Sequence, residues 1–462
     1  MIGQVRPSVK ATAAALSRGE ITATSLLDAS VGVIEQTNSA LKSFISLSIG
    51  RARRQAAEAD RRLAAGAGLG PLDGLPFAVK DVYETADLYT TAGSRAFANR
   101  QAIRDATAIA QLEAAGAILV GKTNLHEFAY GATGENGWSG TVPHPQDLTR
   151  LAGGSSSGSA AAVATGAVYA ALGTDTGGSV RVPAALCGIV GYKPTFGTMS
   201  LEGTVPFCWS LDHGGILTRT VEDLAPFASC LAGIERGSIE TLPQPLRIGI
   251  AEGWADDAEP DVARAFENAL GALETLGARL APVRLPDRSE ARTVSLVLQL
   301  SEALAFHAPH LERAGDLYGE DVRSGLVLAQ FLPASAYVQC KRFVTDYRRT
   351  LAETFKAFDI ILTPACPIVA PLIGTKEVRL SGQTLPLGNA LTLFTSLFNL
   401  TGSPALAMPA GVSSQGLPLS IQLIGPARGD ASVIAVAGAL ERHGLGQKPE
   451  ATPTRSAARE RS

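Results

Sequence analysis

Two glycine-rich segments that carry serines, and one lysine in an apolar run, are the residues of this chain with the means to do chemistry. GGSSSGS at 153–159 holds Ser155, Ser156 and Ser157, and GTDTGGS ends at Ser179. Such runs are ordinarily flexible linkers. Here the first passes directly into AAAVATGAVYAALGTDTGGSVRVPAALCG, the apolar centre of the chain, where a floppy segment would be misplaced. Helix-like and strand-like runs separate the two serine elements, so the fold can bring Ser155–Ser157 close to Ser179 at a sheet edge. A serine nucleophile needs a base, usually histidine. His126, His144, His213, His307, His310 and His443 lack the context of a serine-histidine pair, and none forms a metal-binding spacing. Lysine is the alternative base, and Lys80 sits inside LPFAVKDV, a short apolar run that reads as a buried strand.

The elements that must position these groups follow from periodicity. Leu27, Val31 and Ile34 recur at helical spacing after Thr22, a candidate cap, and the Ala-rich stretch 53–65 reads as a second helix. Beyond Lys80 the pattern alternates: a helix near 105–115, a strand AILVG at 117–121, the Ser/Gly loop at 153–159, an Ala-rich helix, then a strand ALGTD. LRIGIAEG, FDIILTP and LSIQLIG add strands later, with a helical insertion expected over about 255–350. The expected class is α/β, a mixed, largely central β-sheet covered by helices on both faces.

Composition narrows the partners. Lys and Arg total 40 against 43 Asp and Glu, so no basic excess exists to neutralise nucleic-acid phosphates. No run approaches the roughly 20 apolar residues of a membrane span. Cys187, Cys208, Cys230, Cys340 and Cys366 are odd in number and form no CxxC pair, which points to a reducing cytoplasm. GAILVGKT matches the spacing of a phosphate-binding loop at Gly116, Gly121, Lys122 and Thr123. Its four intervening residues, Ala117 to Val120, are strand formers that cannot curl around a phosphate, so a buried strand is the preferred reading over a nucleotide site.

The paired segments GGSSSGSAAAVA and LGTDTGGSVRVPAALCGIVGYKPTFG resemble the amidase signature family, as do GLPFAVKD, GKTNLHEFAYG, NLTGSPALAMPAG and GLPLSIQLIG. The resemblance runs from about residue 7 to 442 and implies a single domain over 1–446; the polar stretch 447–462 lacks periodicity and reads as a disordered tail. Position by position, it makes Ser179 the nucleophile, Ser155 a bridging serine behind a cis peptide after Gly154, and Lys80 the base. The N–H groups of Thr176, Gly177, Gly178 and Ser179 would form the oxyanion hole, with Asp175 and Arg181 bracing the loop. To accept a proton Lys80 must be neutral, which burial favours. The implied activity is hydrolysis of the C–N bond of a small amide, with carbamates, ureas or esters as further candidates. No metal or organic cofactor is implied, and water and a small molecule are the only necessary partners; a homodimer is compatible. An alternative within the same resemblance is the glutaminase subunit of a tRNA-dependent amidotransferase complex. Ala152, Ser157 and VPHPQD at 142–147 depart from the family pattern near the loop that shapes specificity. Phe128, Tyr130, Phe207, Trp209 and Leu393 are the expected walls of an apolar pocket, and with no arginine among them neutral amides are expected to be preferred.

Overall fold

The computed structural model describes residues 6–446. An 11-stranded sheet runs through it. In chain order its strands are β1 (Phe44–Leu47), β2 (Pro76–Lys80), β3 (Ile118–Thr123), β4 (Ala170–Asp175), β5 (Val190–Lys193), β6 (His213–Thr218), β7 (Arg247–Ala251), β8 (Arg279–Val283), β9 (Ile360–Pro364), β10 (Ala405–Val412) and β11 (Pro418–Ile424). In space the order is β1-β3-β2-β4-β6-β5-β10-β11-β9-β7-β8. β2 pairs in parallel with both β3 and β4, and β4 pairs antiparallel with β6, so the sheet is mixed. Every residue of β2, β3, β4 and β6 is buried. Continuous burial without alternation means that both faces are covered, and these strands are rich in Ala, Val, Ile and Leu accordingly.

Thr22 caps the helix Ala23–Leu41, accepting from the backbone of Ser25, which bonds back in a capping box. The Ser/Gly loop is shorter than the sequence pattern suggests: the helix Ser157–Ala164 already includes Ser157, because the small residues that follow pack fully buried beside the sheet. The stretch expected as a helical insertion is likewise divided. Arg279–Val283 pairs with β7 as an edge of the sheet, while Arg288–Ala314, Glu320–Ala329 and Ala334–Thr354 are helices. The expected tail at 447–462 lies outside the described residues. None of the described helices is long and apolar enough to cross a membrane.

The segment GAILVGKT forms β3 itself. Lys122 is fully buried with its Nζ 2.6 Å from Asp81 Oδ1 and 2.7 Å from Thr90 Oγ1, so its charge is matched inside the protein. A side chain at Gly121 would run into the carbonyl of Ser46 on β1, which explains the glycine by strand packing.

Candidate active site

Lys80 closes β2, and its side chain has no exposure to solvent. Its Nζ lies 2.6 Å from Ser155 Oγ and 2.9 Å from Thr174 Oγ1 on the adjoining β4. Burial pushes the pKa of Lys80 down to about 7, against the opposing pull of the Asp212 and Asp175 carboxylates. A large fraction of this lysine is therefore neutral near neutral pH and able to accept a proton.

Ser155 follows a cis peptide bond at Gly154–Ser155. Gly154 is tightly enclosed: a Cβ there would sit 2.7 Å from the backbone nitrogen of Gly134. The next residue ties this loop to the second serine element, since the Ser156 N–H donates to the carbonyl of Ser179 at 3.1 Å. Ser179 is 7% exposed, whereas Ser155 is fully buried. Of the two serines, Ser179 is the more exposed.

The turn after β4 is built around Asp175. Its carboxylate accepts from the N–H groups of Gly178 at 2.8 Å and Val180 at 3.1 Å, from Arg181 Nε at 3.0 Å and Nη2 at 2.9 Å, and from Asn399 Nδ2 at 2.8 Å. Burial opposes its ionisation, but the charge and hydrogen bonds of Arg181, aided by Lys193 and Asn399, outweigh that and hold it well below the ordinary carboxylate range. Both members of the Arg181–Asp175 pair are fully buried. This pair and its hydrogen bonds fix the conformation of residues 175–181.

That geometry corrects one expected role. The Gly178 N–H is aimed at Asp175 and is not free to meet a substrate oxygen. Among the described residues, the N–H groups of Thr176, Gly177 and Ser179 have no acceptor, and three donors in one short turn remain available for a developing oxyanion. Gly178 has φ +130°, a conformation that side chains rarely adopt, so its glycine is explained by the turn.

Asp212 joins the site without a signal in the sequence. It accepts from Thr176 Oγ1 at 2.6 Å and from the N–H groups of Phe207 and Cys208 at 2.9 and 3.0 Å. Burial raises its pKa to about 6, offset in part by those bonds and by Lys80. Nothing in the string CWSLDH distinguishes this aspartate from one on the surface; only its burial beside Lys80 and Thr176 does.

The five expected wall residues do not form one surface. Phe128 packs against Tyr318 and Phe97 at centroid distances of 5.1 and 4.9 Å, as part of an aromatic cluster. Tyr130 meets Phe207 at 5.3 Å. Trp209 is half exposed and borders a cavity of about 610 Å³ with Ser210, Ser301, Glu302 and Tyr337. Leu393 borders a separate cavity of about 440 Å³ with Trp254 and Arg288. Ser179 lines neither. Residue type alone could not separate core aromatics from pocket aromatics, because burial of either kind uses the same side chains.

Comparison with known proteins identifies the family. The family model for amidases matches residues 25–434. The chain belongs to the amidase signature family. A glutamyl-tRNA(Gln) amidotransferase subunit from Chloroflexus aurantiacus (strain ATCC 29366 / DSM 635 / J-10-fl) is 38% identical, over 94% of this chain and 96% of that protein. The AtzE subunit of 1-carboxybiuret hydrolase from Pseudomonas sp. (strain ADP) is 37% identical over 88% and 92%. A crystal structure of an amidase superposes with a TM-score of 0.89 at 34% identity, covering 95% of this chain and all of that one. This amidase signature chain is thus an enzyme that acts on C–N amide bonds, and its fold is that of its relatives.

Proposed function

We propose that this amidase signature enzyme hydrolyses a small amide through an acyl-enzyme on Ser179. Neutral Lys80 takes the proton of Ser155 Oγ as Ser155 takes that of Ser179, and Ser179 Oγ attacks the carbonyl carbon. The N–H groups of Thr176, Gly177 and Ser179 stabilise the oxyanion. Run in reverse, the same path delivers the proton to the leaving nitrogen as the C–N bond breaks. Water then attacks the acyl carbon and gives its proton to Lys80; as the acyl C–O bond breaks, that proton passes through Ser155 to Ser179 Oγ, which regenerates the serine and the neutral lysine and releases the acid. The observation that carries this reading is the fully buried Lys80 amine, 2.6 Å from Ser155 Oγ and pushed down to about 7. Carbamates, ureas and esters share the acyl chemistry and belong in the same assay.

The expected preference for neutral amides depends on an apolar wall that the five residues do not form together, so the wall gives it no support. A second reading has support from the relatives, two of which are named as subunits. In it the chain releases ammonia from glutamine as part of an assembly. A panel of aryl amides, aliphatic amides, carbamates and glutamine, read by release of amine or ammonia, tests both. Turnover of simple amides by the isolated chain supports the first reading. Strict glutamine dependence together with co-purifying partner proteins would replace it with the second.

A further inference from the structure

The long helix Arg288–Ala314 presents Arg292, Ser295 and Gln299 at spacings of three and four residues, which places them in one stripe. The C-terminal end of that stripe touches the turn that bears Ser179. Gln299 Nε2 donates to the buried Ser295 Oγ at 2.8 Å, approaches the Thr176 carbonyl at 3.5 Å, and would lie 3.1 Å from a Cβ built on Gly177. Arg292 stands about 10 Å back along the same face.

Of the buried cations, Arg181 is paired with Asp175 and Lys122 with Asp81. The fully buried Lys80 and Lys193 have no carboxylate within ion-pair distance among the described residues, but their amines donate to hydroxyl and carbonyl oxygens. Arg292 makes one hydrogen bond among the described residues, from Nη2 to Asn389 Oδ1 at 3.0 Å, while Nε and Nη1 are buried with no acceptor. Burial alone draws its pKa down to about 10, with no carboxylate acting on it. Arg292 as a residue is half-buried, but two guanidinium nitrogens shut off from water without an acceptor are costly, and such groups in a native fold call for a partner. Arg288, one turn earlier, is already matched by Asp257. A single uncompensated cation matches one negative charge, which fits a carboxylate better than a phosphate dianion.

We propose that Arg292 receives a carboxylate of the substrate, so that the amide cleaved at Ser179 carries an anionic group at its far end. This rests on Ser179 being the nucleophile, and it makes Arg292 a specificity-determining residue. The substrate class is then a monoamide of a dicarboxylic acid, or a molecule of the same shape and charge.

Two measurements on the full chain separate this inference from the reading it rests on. The first compares kcat/KM for succinamate, glutaramate and adipamate with their uncharged diamides, in wild type, Arg292→Met and Arg292→Lys. The expected result is that at least one acid exceeds its diamide by about tenfold or more in wild type, since a hydrogen bond to a charged group is of that strength. The ratio should fall towards one in Arg292→Met, with part retained in Arg292→Lys. Equal efficiency on acids and diamides in wild type would overturn the inference while leaving Ser179 as the nucleophile. The second is calorimetric titration with glutarate, which needs no turnover. Binding to wild type, weakened about tenfold or more in Arg292→Met, supports the anion site even if no amide in the panel is cleaved. Absence of glutarate binding by wild type, or tighter binding of inorganic phosphate than of glutarate, would overturn it.

Discussion

Replacing Lys80 with methionine should abolish activity and yet make the protein more stable at neutral pH. The ordinary lysine value of 10.5 falls to about 7 in the folded protein, chiefly through burial. That difference corresponds to about 5 kcal/mol of folding free energy withheld when the amine is protonated. Methionine matches much of the volume without the charge. It forgoes the bonds to Ser155 and Thr174, worth about 1 kcal/mol each, so a net gain of about 2–3 kcal/mol remains at pH 7. The sign follows from proton counting. Between about 7 and 10.5 the unfolded chain holds a proton on this lysine that the folded protein does not, so wild-type stability rises with pH across that window. The advantage of Lys80→Met should therefore shrink by about 2–3 kcal/mol from pH 7 to pH 9. Asp212, raised to about 6, titrates below this interval and leaves the lysine as the group being read. Denaturant unfolding of both proteins at pH 7, 8 and 9 supplies the comparison. A stability difference that stays constant across those three pH values would refute the claim that Lys80 is depressed.

The same depressed value predicts the activity profile: wild-type kcat/KM should rise with pH to a plateau with a midpoint near 7, and Lys80→Arg should lose about a thousandfold or more, because arginine stays protonated. A near-normal rate for Lys80→Arg at pH 7.5 would contradict the base assignment. Arg181→Met leaves Asp175 buried without its counter-charge; a cost of about 3–5 kcal/mol and a melting temperature lower by roughly 4 °C are expected in a thermal scan. Gly178→Ala places a Cβ against Thr395 Oγ1 at φ +130°, so turnover should drop by about a hundredfold while the far-ultraviolet circular dichroism is retained.

The apolar runs around Lys80 and around Ile118–Val120 are readable as strands because fully buried strands in a covered sheet lack alternation, and a lysine inside such a run stands out at once. The glycines and serines at 153–159 and 173–179 are readable for a similar reason: small residues packed into an apolar centre have to be explained by close approach of backbone. What escapes detection depends on contacts distant in sequence. The Gly178 N–H turns towards Asp175 through a side chain whose orientation is set by Arg181 and Asn399. Asp212 matters through Thr176, and Arg292 through the absence of an acceptor, which no spacing rule records. The aromatic positions fail for the opposite reason, since core and pocket use the same residue types.

The claim that Ser179, and not the serines at 155–157, carries the acyl group is most directly tested by covalent trapping. Wild-type protein treated with an organophosphonate and analysed by intact mass and peptide mapping should gain one adduct, on Ser179, with loss of activity in proportion to labelling. Ser179→Ala should gain none. Mapping of the adduct to Ser155, Ser156 or Ser157, or undiminished labelling of Ser179→Ala, would contradict the assignment of Ser179 as the nucleophile.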